Sequence, residues 1–138
     1  MINDKLTKEL QEQITENKTK IEYIEDGLIY STNEVKTDNK WIDGKPIYRK
    51  VINFGALPNN TSKSVNHNIQ NIKRIINMYG YSMRPDTSNT FICPNNPTYN
   101  SLTSGMYANE TAVTVNTYSD RSSFSETYII LEYTKTTD

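Results

Sequence analysis

Leu10-Gln-Glu-Gln-Ile14-Thr-Glu-Asn17-Lys-Thr-Lys-Ile21-Glu-Tyr-Ile24-Glu-Asp-Gly27-Leu28 decides the fold. Leu10, Ile14, Asn17, Ile21, Ile24 and Leu28 follow one another at spacings of four, three, four, three and four. That is the period of a helix with a narrow seam, two positions in seven, as in a coiled coil. A helix lying on its own domain usually carries a wider apolar stripe, so the seam predicts self-association. The alternative, an amphipathic helix resting on the rest of the chain, stays open. Ile14 and Ile21 share one core position and Ile24 takes the other, a choice that shifts preference from dimers toward trimers or higher orders. Asn17 interrupts the seam, at a cost in stability that can fix register and oligomer number. Upstream, Ile2, Leu6, Leu10 and Ile14 recur at four, a stutter that predicts different supercoiling in the first turns.

Working outward, Asn3 or Asp4 can cap the helix start and Gly27 can supply its end. After Gly27 the apolar period changes to two, the mark of half-buried strands. Leu28 to Thr32 is a first candidate strand. Asp43-Gly44-Lys45-Pro46 is a strong turn, after which Ile47 to Phe54 reads as a strand. Val65, His67 and Ile69 alternate with polar neighbours. Ile72 to Tyr79 also fits a helical face, but its β-branched content favours a strand. Arg84 to Ala108, punctuated by Pro85, Pro94, Pro97 and Gly105, reads as a long exposed loop broken by a short strand at Thr90 to Ile92. Thr111 to Thr117 alternates through Val113 and Val115. Thr127, Ile129, Leu131 and Tyr133 line one face of a last strand. The expectation is a mainly β chain: a trimeric coiled-coil stalk over residues 1–27, then an antiparallel β-sandwich head over 28–138.

The 138 residues hold one core beyond the helix, carry a net charge of −1, and show no stripe of Lys and Arg that would track a phosphate backbone. Nucleic acid is therefore not an expected partner. No apolar run approaches the roughly 20 residues that span a bilayer, and the first residues lack the apolar segment of a signal peptide. No membrane insertion and no secretion by the usual route are expected. Cys93 is the one cysteine, so no internal disulfide is possible, and it reads as a small buried hydrophobe. Asn, Thr and Ser build much of the polar surface, with ten Tyr against one Trp and three Phe. That palette suits recognition surfaces, although compositional bias and the β preference of Thr and Tyr explain much of it.

Catalysis finds little support. The one histidine, His67, sits on an apolar face, where a hydrogen-bonded core or interface role is the better reading. Asp43, Asp86, Glu110, Asp120 and Glu126 fall in turns or at strand ends, and nothing pairs them as glycoside hydrolysis requires. No metal-ligand spacing and no phosphate-cradling glycine loop occur, so neither metal nor cofactor is expected. A binding surface remains. A saccharide site needs exposed aromatics beside polar side chains, and Tyr99, Tyr107, Asn95, Asn96, Arg84, Asp86 and Arg121 are the candidates, each of which also serves as ordinary loop structure.

Trp41-Ile-Asp-Gly-Lys-Pro-Ile-Tyr48-Arg-Lys, Gly55-Ala-Leu-Pro-Asn59, Val65-Asn-His67-Asn-Ile-Gln-Asn-Ile72 and the ending Leu131-Glu-Tyr-Thr-Lys-Thr-Thr-Asp138 resemble the C-terminal receptor-binding domains of phage and prophage tail-fibre or baseplate proteins. The likeness covers about residues 33 to 138, and the Trp-Ile-Asp-Gly-Lys-Pro string is its most specific part. The resemblance implies a trimeric fibre with a helical stem and a β-sandwich head that attaches a virion, assembled in the bacterial cytoplasm, to a bacterial cell-surface glycan. Other tail or baseplate proteins would hold the N-terminal end. It carries no catalytic residues, and Trp41 and Tyr48 are expected to serve the fold. The chain reads either as a whole small protein or as the C-terminal part of a longer fibre. Two other readings are a structural collar or fibre-tip protein that grips particle proteins, and a glycan-degrading tailspike.

Overall fold

The computed structural model describes residues 2–86, 90–93 and 104–138. Among the described residues one helix, α1 (Ile2–Leu28), precedes eight strands. These are β1 (Val35–Lys40), β2 (Pro46–Asn53), β3 (Ser62–Asn66), β4 (Ile72–Met83), β5 (Thr90–Cys93), β6 (Ser104–Ala108), β7 (Ala112–Thr117) and β8 (Glu126–Lys135). They form a five-stranded sheet in the order β1-β2-β8-β4-β5 and a three-stranded sheet in the order β3-β7-β6. All pairings are antiparallel. The chain is mainly β with one N-terminal helix.

Period-two patterning explains the core. Thr127, Ile129, Leu131 and Tyr133 of β8 point to one face and are all buried to 0% exposure; on that face Tyr48 and Ile52 of the adjacent β2 are their neighbours, and Val113 and Val115 of β7 join the same core. Val113 and Val115 are likewise fully buried. Both sheets thus contribute side chains to one core, and each fully buried aliphatic side chain contributes about 1.5–3 kcal/mol relative to exposure. His67 is buried beside them and structural. Its Nδ1 accepts from the Ile69 amide (3.1 Å) and its Nε2–H donates to the Asn109 carbonyl (2.9 Å), so both ring nitrogens are occupied.

Strand β4 resolves the ambiguity at Ile72 to Tyr79. Its register against β8 shifts twice, between Ile72 and Arg74 and between Ile75 and Asn77. Each bulge inserts a residue and moves the next inward position along by one. Ile72, Ile75 and Met78 therefore all pack on the core, at a spacing of three that imitates a helix. Beyond the bulges Gly80 and Ser82 return to period two opposite Ile129 and Thr127.

Several expectations are corrected. Leu28 to Thr32 is not a strand: the helix runs through Gly27 to Leu28, and the first strand begins at Val35. The segment between is nevertheless extended enough for the Ser31 carbonyl to accept from the Val51 amide (2.9 Å), prolonging the edge of β2. Val65 belongs to β3, but His67 and Ile69 lie beyond its end. Asn68 and Asn71 there adopt positive φ, which breaks the ladder while both apolar side chains stay buried. The stretch from Arg84 to Ala108 holds a second strand, β6, whose Ser104–Ala108 pairing with β7 needs no long apolar run.

Gly80 is where the sheet tolerates no side chain. A Cβ at this position would lie 2.4 Å from the Tyr128 carbonyl oxygen and 3.0 Å from the Ile129 Cα, both backbone atoms. Gly80→Ala is expected to cost about 1–3 kcal/mol by overpacking, seen by circular dichroism as a Tm lower by several degrees. Gly105→Ala, whose methyl group meets nothing closer than 3.6 Å, should not lower Tm.

Candidate functional site

Residues 4–21 of α1 are exposed throughout, and its polar faces are what water should see. Its apolar row is another matter. Leu6, Leu10, Ile14, Ile21 and Leu28 are each more than half exposed, with Ile14 at 65% and Leu28 at 71%. Asn17 is exposed in the same row, while the Ile24 side chain lies outside the described residues. Lone helices are marginal in water and are stabilised chiefly by packing of an apolar face. Here that face has no cover from its own chain along residues 4–21.

A second apolar surface lies on the sheet itself. The side of the larger sheet opposite the core presents Val51 from β2, Tyr79 and Tyr81 from β4, and Tyr128 and Ile130 from β8, which together with Gly80 line a groove of about 530 Å3. Cross-strand pairing puts Tyr81 opposite Tyr128 and Tyr79 opposite Ile130. The Tyr81 and Tyr128 rings lie 6.0 Å apart, tilted by 41°. Tyr30, Ser31 and Thr32, from the linker between α1 and β1, form the remaining wall.

Polar contacts hold that linker against the sheet. The Arg49 guanidinium lies 4.1 Å from the Tyr30 ring centroid, within cation–π reach, and donates to the Ile29 carbonyl (2.7 Å). Tyr30 and Tyr79 share a hydroxyl–hydroxyl hydrogen bond of 3.3 Å. Burial, the bond to Tyr30 and the nearby Glu132 carboxylate hold the Tyr79 hydroxyl well above the ordinary phenol pKa. It therefore remains a neutral donor and acceptor. At the end of the linker Glu34 accepts from the Tyr133 hydroxyl (2.6 Å) and pairs with Lys135 (2.7 Å). Lys135 also lies 5.2 Å from the centroid of Tyr48, which stacks on Tyr133.

The residues expected to bind ligand are distributed over separate elements. Arg84 and Asp86 form an ion pair just beyond β4, with Nε and Oδ1 3.7 Å apart. Tyr107 is exposed on β6, at a shallow cleft with Ile75, Ile76 and Met106. Arg121 lies in the turn before β8, near the Phe124 ring, and its amide donates to Pro58. Asn95, Asn96 and Tyr99 lie outside the described residues. The tyrosine groove uses none of these positions. Its signal was the outward row of the strands, Tyr79 and Tyr81 on β4 and Tyr128 and Ile130 on β8.

The carboxylates at turns hold backbone. Asp43 accepts from the Lys45 amide (3.0 Å), and Asp120 accepts from the Ser122 amide (2.9 Å) and hydroxyl (2.6 Å). These hydrogen bonds lower both carboxyl pKa values. Among the described residues no group of three or more His, Cys, Asp or Glu gathers as a metal site, and no helix is long and apolar enough to cross a membrane. No family model matches this chain, and no curated protein or solved structure matches it either.

Two measurements probe the linker anchors. Arg49→Ala removes both the ring contact and the bond to Ile29, and should speed chymotryptic cleavage at Leu28 to Tyr30 while the melting of the body changes little. Burial and the Glu34 carboxylate raise the Tyr133 pKa far above its ordinary value. Above about pH 10 the unfolded tyrosine loses its proton while the folded one keeps it, so stability falls as pH rises, by up to about 1.4 kcal/mol per pH unit. Tyr133→Phe should cost about 1.5–3 kcal/mol at neutral pH. In urea titrations above pH 10 it should decline less steeply than the parent protein.

Proposed function

We propose that this chain is a non-catalytic receptor-binding protein of a phage tail, a homotrimer that adheres to a bacterial surface saccharide. Residues 1–27 form its coiled-coil stalk and residues 28–138 its β-sandwich head. The observation that carries the reading is the uncovered row Leu6, Leu10, Ile14, Ile21 and Leu28 on an otherwise polar helix. Burying that row between three copies would remove several large aliphatic side chains from water at about 1.5–3 kcal/mol each. Isoleucine at both core positions favours three or more strands over two.

Two further features support the reading. The two sheets share one core, as a sandwich requires. The Trp41 to Pro46 string, part of the resemblance to tail-fibre heads, forms the tight turn between β1 and β2, where the Trp41 amide donates to Lys45 and the Gly44 amide to Trp41. Gly44 adopts a φ of 82° there, in the region glycine enters without steric cost. Three heads on one stalk would convert weak single sites into firm attachment, because the second and third contacts are made at high effective concentration. The tail tip of the virion is the location this implies, with other tail or baseplate proteins holding the N-terminal end of the stalk.

Light scattering coupled to size-exclusion chromatography tests the assembly. The intact chain is expected at three times the 15.9 kDa monomer mass, and a version beginning at Gly27 at a lower mass. A monomer in both cases would remove the stalk.

A further inference from the structure

We propose that the tyrosine-lined groove on the outward face of the larger sheet is the saccharide site, and that its ligand is uncharged. The inference rests on the adhesion reading above and adds to it a location and a ligand class.

A pyranose ring presents an apolar face of C–H groups and a belt of hydroxyls. A site for it needs an aromatic surface of similar size beside groups that both donate and accept hydrogen bonds. The groove offers both. Tyr81, 41% exposed, stands next to Tyr128 across the strand pair and supplies the aromatic surface. Val51 and Ile130 make the apolar floor. The lining also includes the hydroxyl-bearing side chains Tyr30, Ser31, Thr32 and Tyr79. Each hydroxyl can rotate to donate or accept. Tyr30 and Tyr79 already share one hydrogen bond, and each oxygen keeps further capacity for a sugar hydroxyl. The volume of about 530 Å3 falls within the roughly 300–1,000 Å3 usual for small-molecule sites.

Charge selects the ligand class. The nine lining residues include no Lys, Arg, Asp or Glu. Arg49 is directed at the Tyr30 ring and the Ile29 carbonyl, and its charge also acts on Tyr79. Glu132 accepts from Asn77 (2.7 Å) and acts electrostatically on Tyr79. A uronate or phosphate entering the groove would lose hydration with no cation among the lining residues to replace it, and the fields of Arg49 and Glu132 oppose each other at Tyr79. An uncharged sugar does not meet that desolvation cost. The site also depends on the linker: without Tyr30, Ser31 and Thr32 it is an open aromatic strip. The stem of a fibre would therefore enter the head through the wall of its binding site.

The test uses the full chain on an array of bacterial polysaccharides, one set neutral (glucose, galactose, rhamnose and N-acetylglucosamine types) and one acidic (uronate and phosphate types). The parent protein should bind within the neutral set. Tyr81→Ala and Tyr128→Ala should each lower apparent affinity about tenfold, and Tyr79→Phe severalfold, with Tm and oligomer mass unchanged. Tyr118→Ala, an exposed tyrosine outside the groove, should bind as the parent does. If an alanine variant fails to fold, tyrosine ring resonances of the parent protein, followed by NMR with the bound neutral glycan, give the same answer: Tyr81 and Tyr128 should shift first. Glycan binding that survives the groove substitutions, leaves those resonances unmoved, or is confined to the acidic set would overturn the proposal and leave the adhesion reading standing. Groove substitutions that dissociate the oligomer but spare glycan binding would do the same, and would make the groove a contact between copies. Binding to neither set would overturn the proposal together with the adhesion reading.

Discussion

Strand β8 is hydrogen-bonded along both edges, to β2 from Tyr128 to Tyr133 and to β4 from Glu126 to Lys135. Everything else is arranged around that double pairing. Its odd-numbered residues from Thr127 to Tyr133 are removed from solvent and hold the two sheets together. Its even-numbered residues Tyr128 and Ile130 lie on the other face and line the groove. A one-residue slip would exchange the two rows. The core and the candidate site are thus two faces of one register, and Gly80, where no Cβ fits against the Tyr128 carbonyl, marks how closely β4 approaches β8.

The linker from Leu28 to Glu34 connects that sheet to the helix through unlike interactions at its two ends. Near the helix, Arg49 grips Tyr30 and the Ile29 carbonyl on the outward face. Near β1, Glu34 receives the Tyr133 hydroxyl and Lys135 on the inward side. Between them the Ser31 carbonyl meets the Val51 amide. Hydrogen bonds to charged groups are worth more than neutral ones, about 1.5–3 kcal/mol each. A segment without regular secondary structure is therefore fastened to the sheet near both its ends. On the proposed reading this is what aligns a stem with its head.

The helix, the two-sheet architecture and the inward row of β8 were legible in the sequence, because each rests on a strong period: Leu10 to Leu28 at three and four, Thr127 to Tyr133 at two. Strand β4 was legible only in type, since its two bulges space Ile72, Ile75 and Met78 like a helix. Strand β6 escaped because Ser104-Gly-Met-Tyr-Ala108 has no alternation and is ordered by its pairing with β7. Gly27 read as a stop, but the helix continues one residue past it. The groove was illegible for a different reason. Tyr30 falls in a stretch patterned like a strand, Tyr79 in one whose period fits helix or strand, and Tyr128 lies on the face of β8 opposite its buried row. Only the pairing of β4 with β8 and the grip of Arg49 bring the three together. Asn- and Pro-rich sequence marks Arg84 to Ala108 as an exposed loop, whereas the aromatic surface stands largely on strands.

On the proposed reading, the apolar row of α1 is covered by other copies of the chain. Hydrogen–deuterium exchange at the amides from Leu10 to Ile21, followed over a range of protein concentrations, tests it directly. A helix packed in a trimer should exchange slowly and lose its protection on dilution, as oligomer stability depends on protomer concentration. Rapid exchange at every concentration, the behaviour of a lone helix in water, would contradict the account.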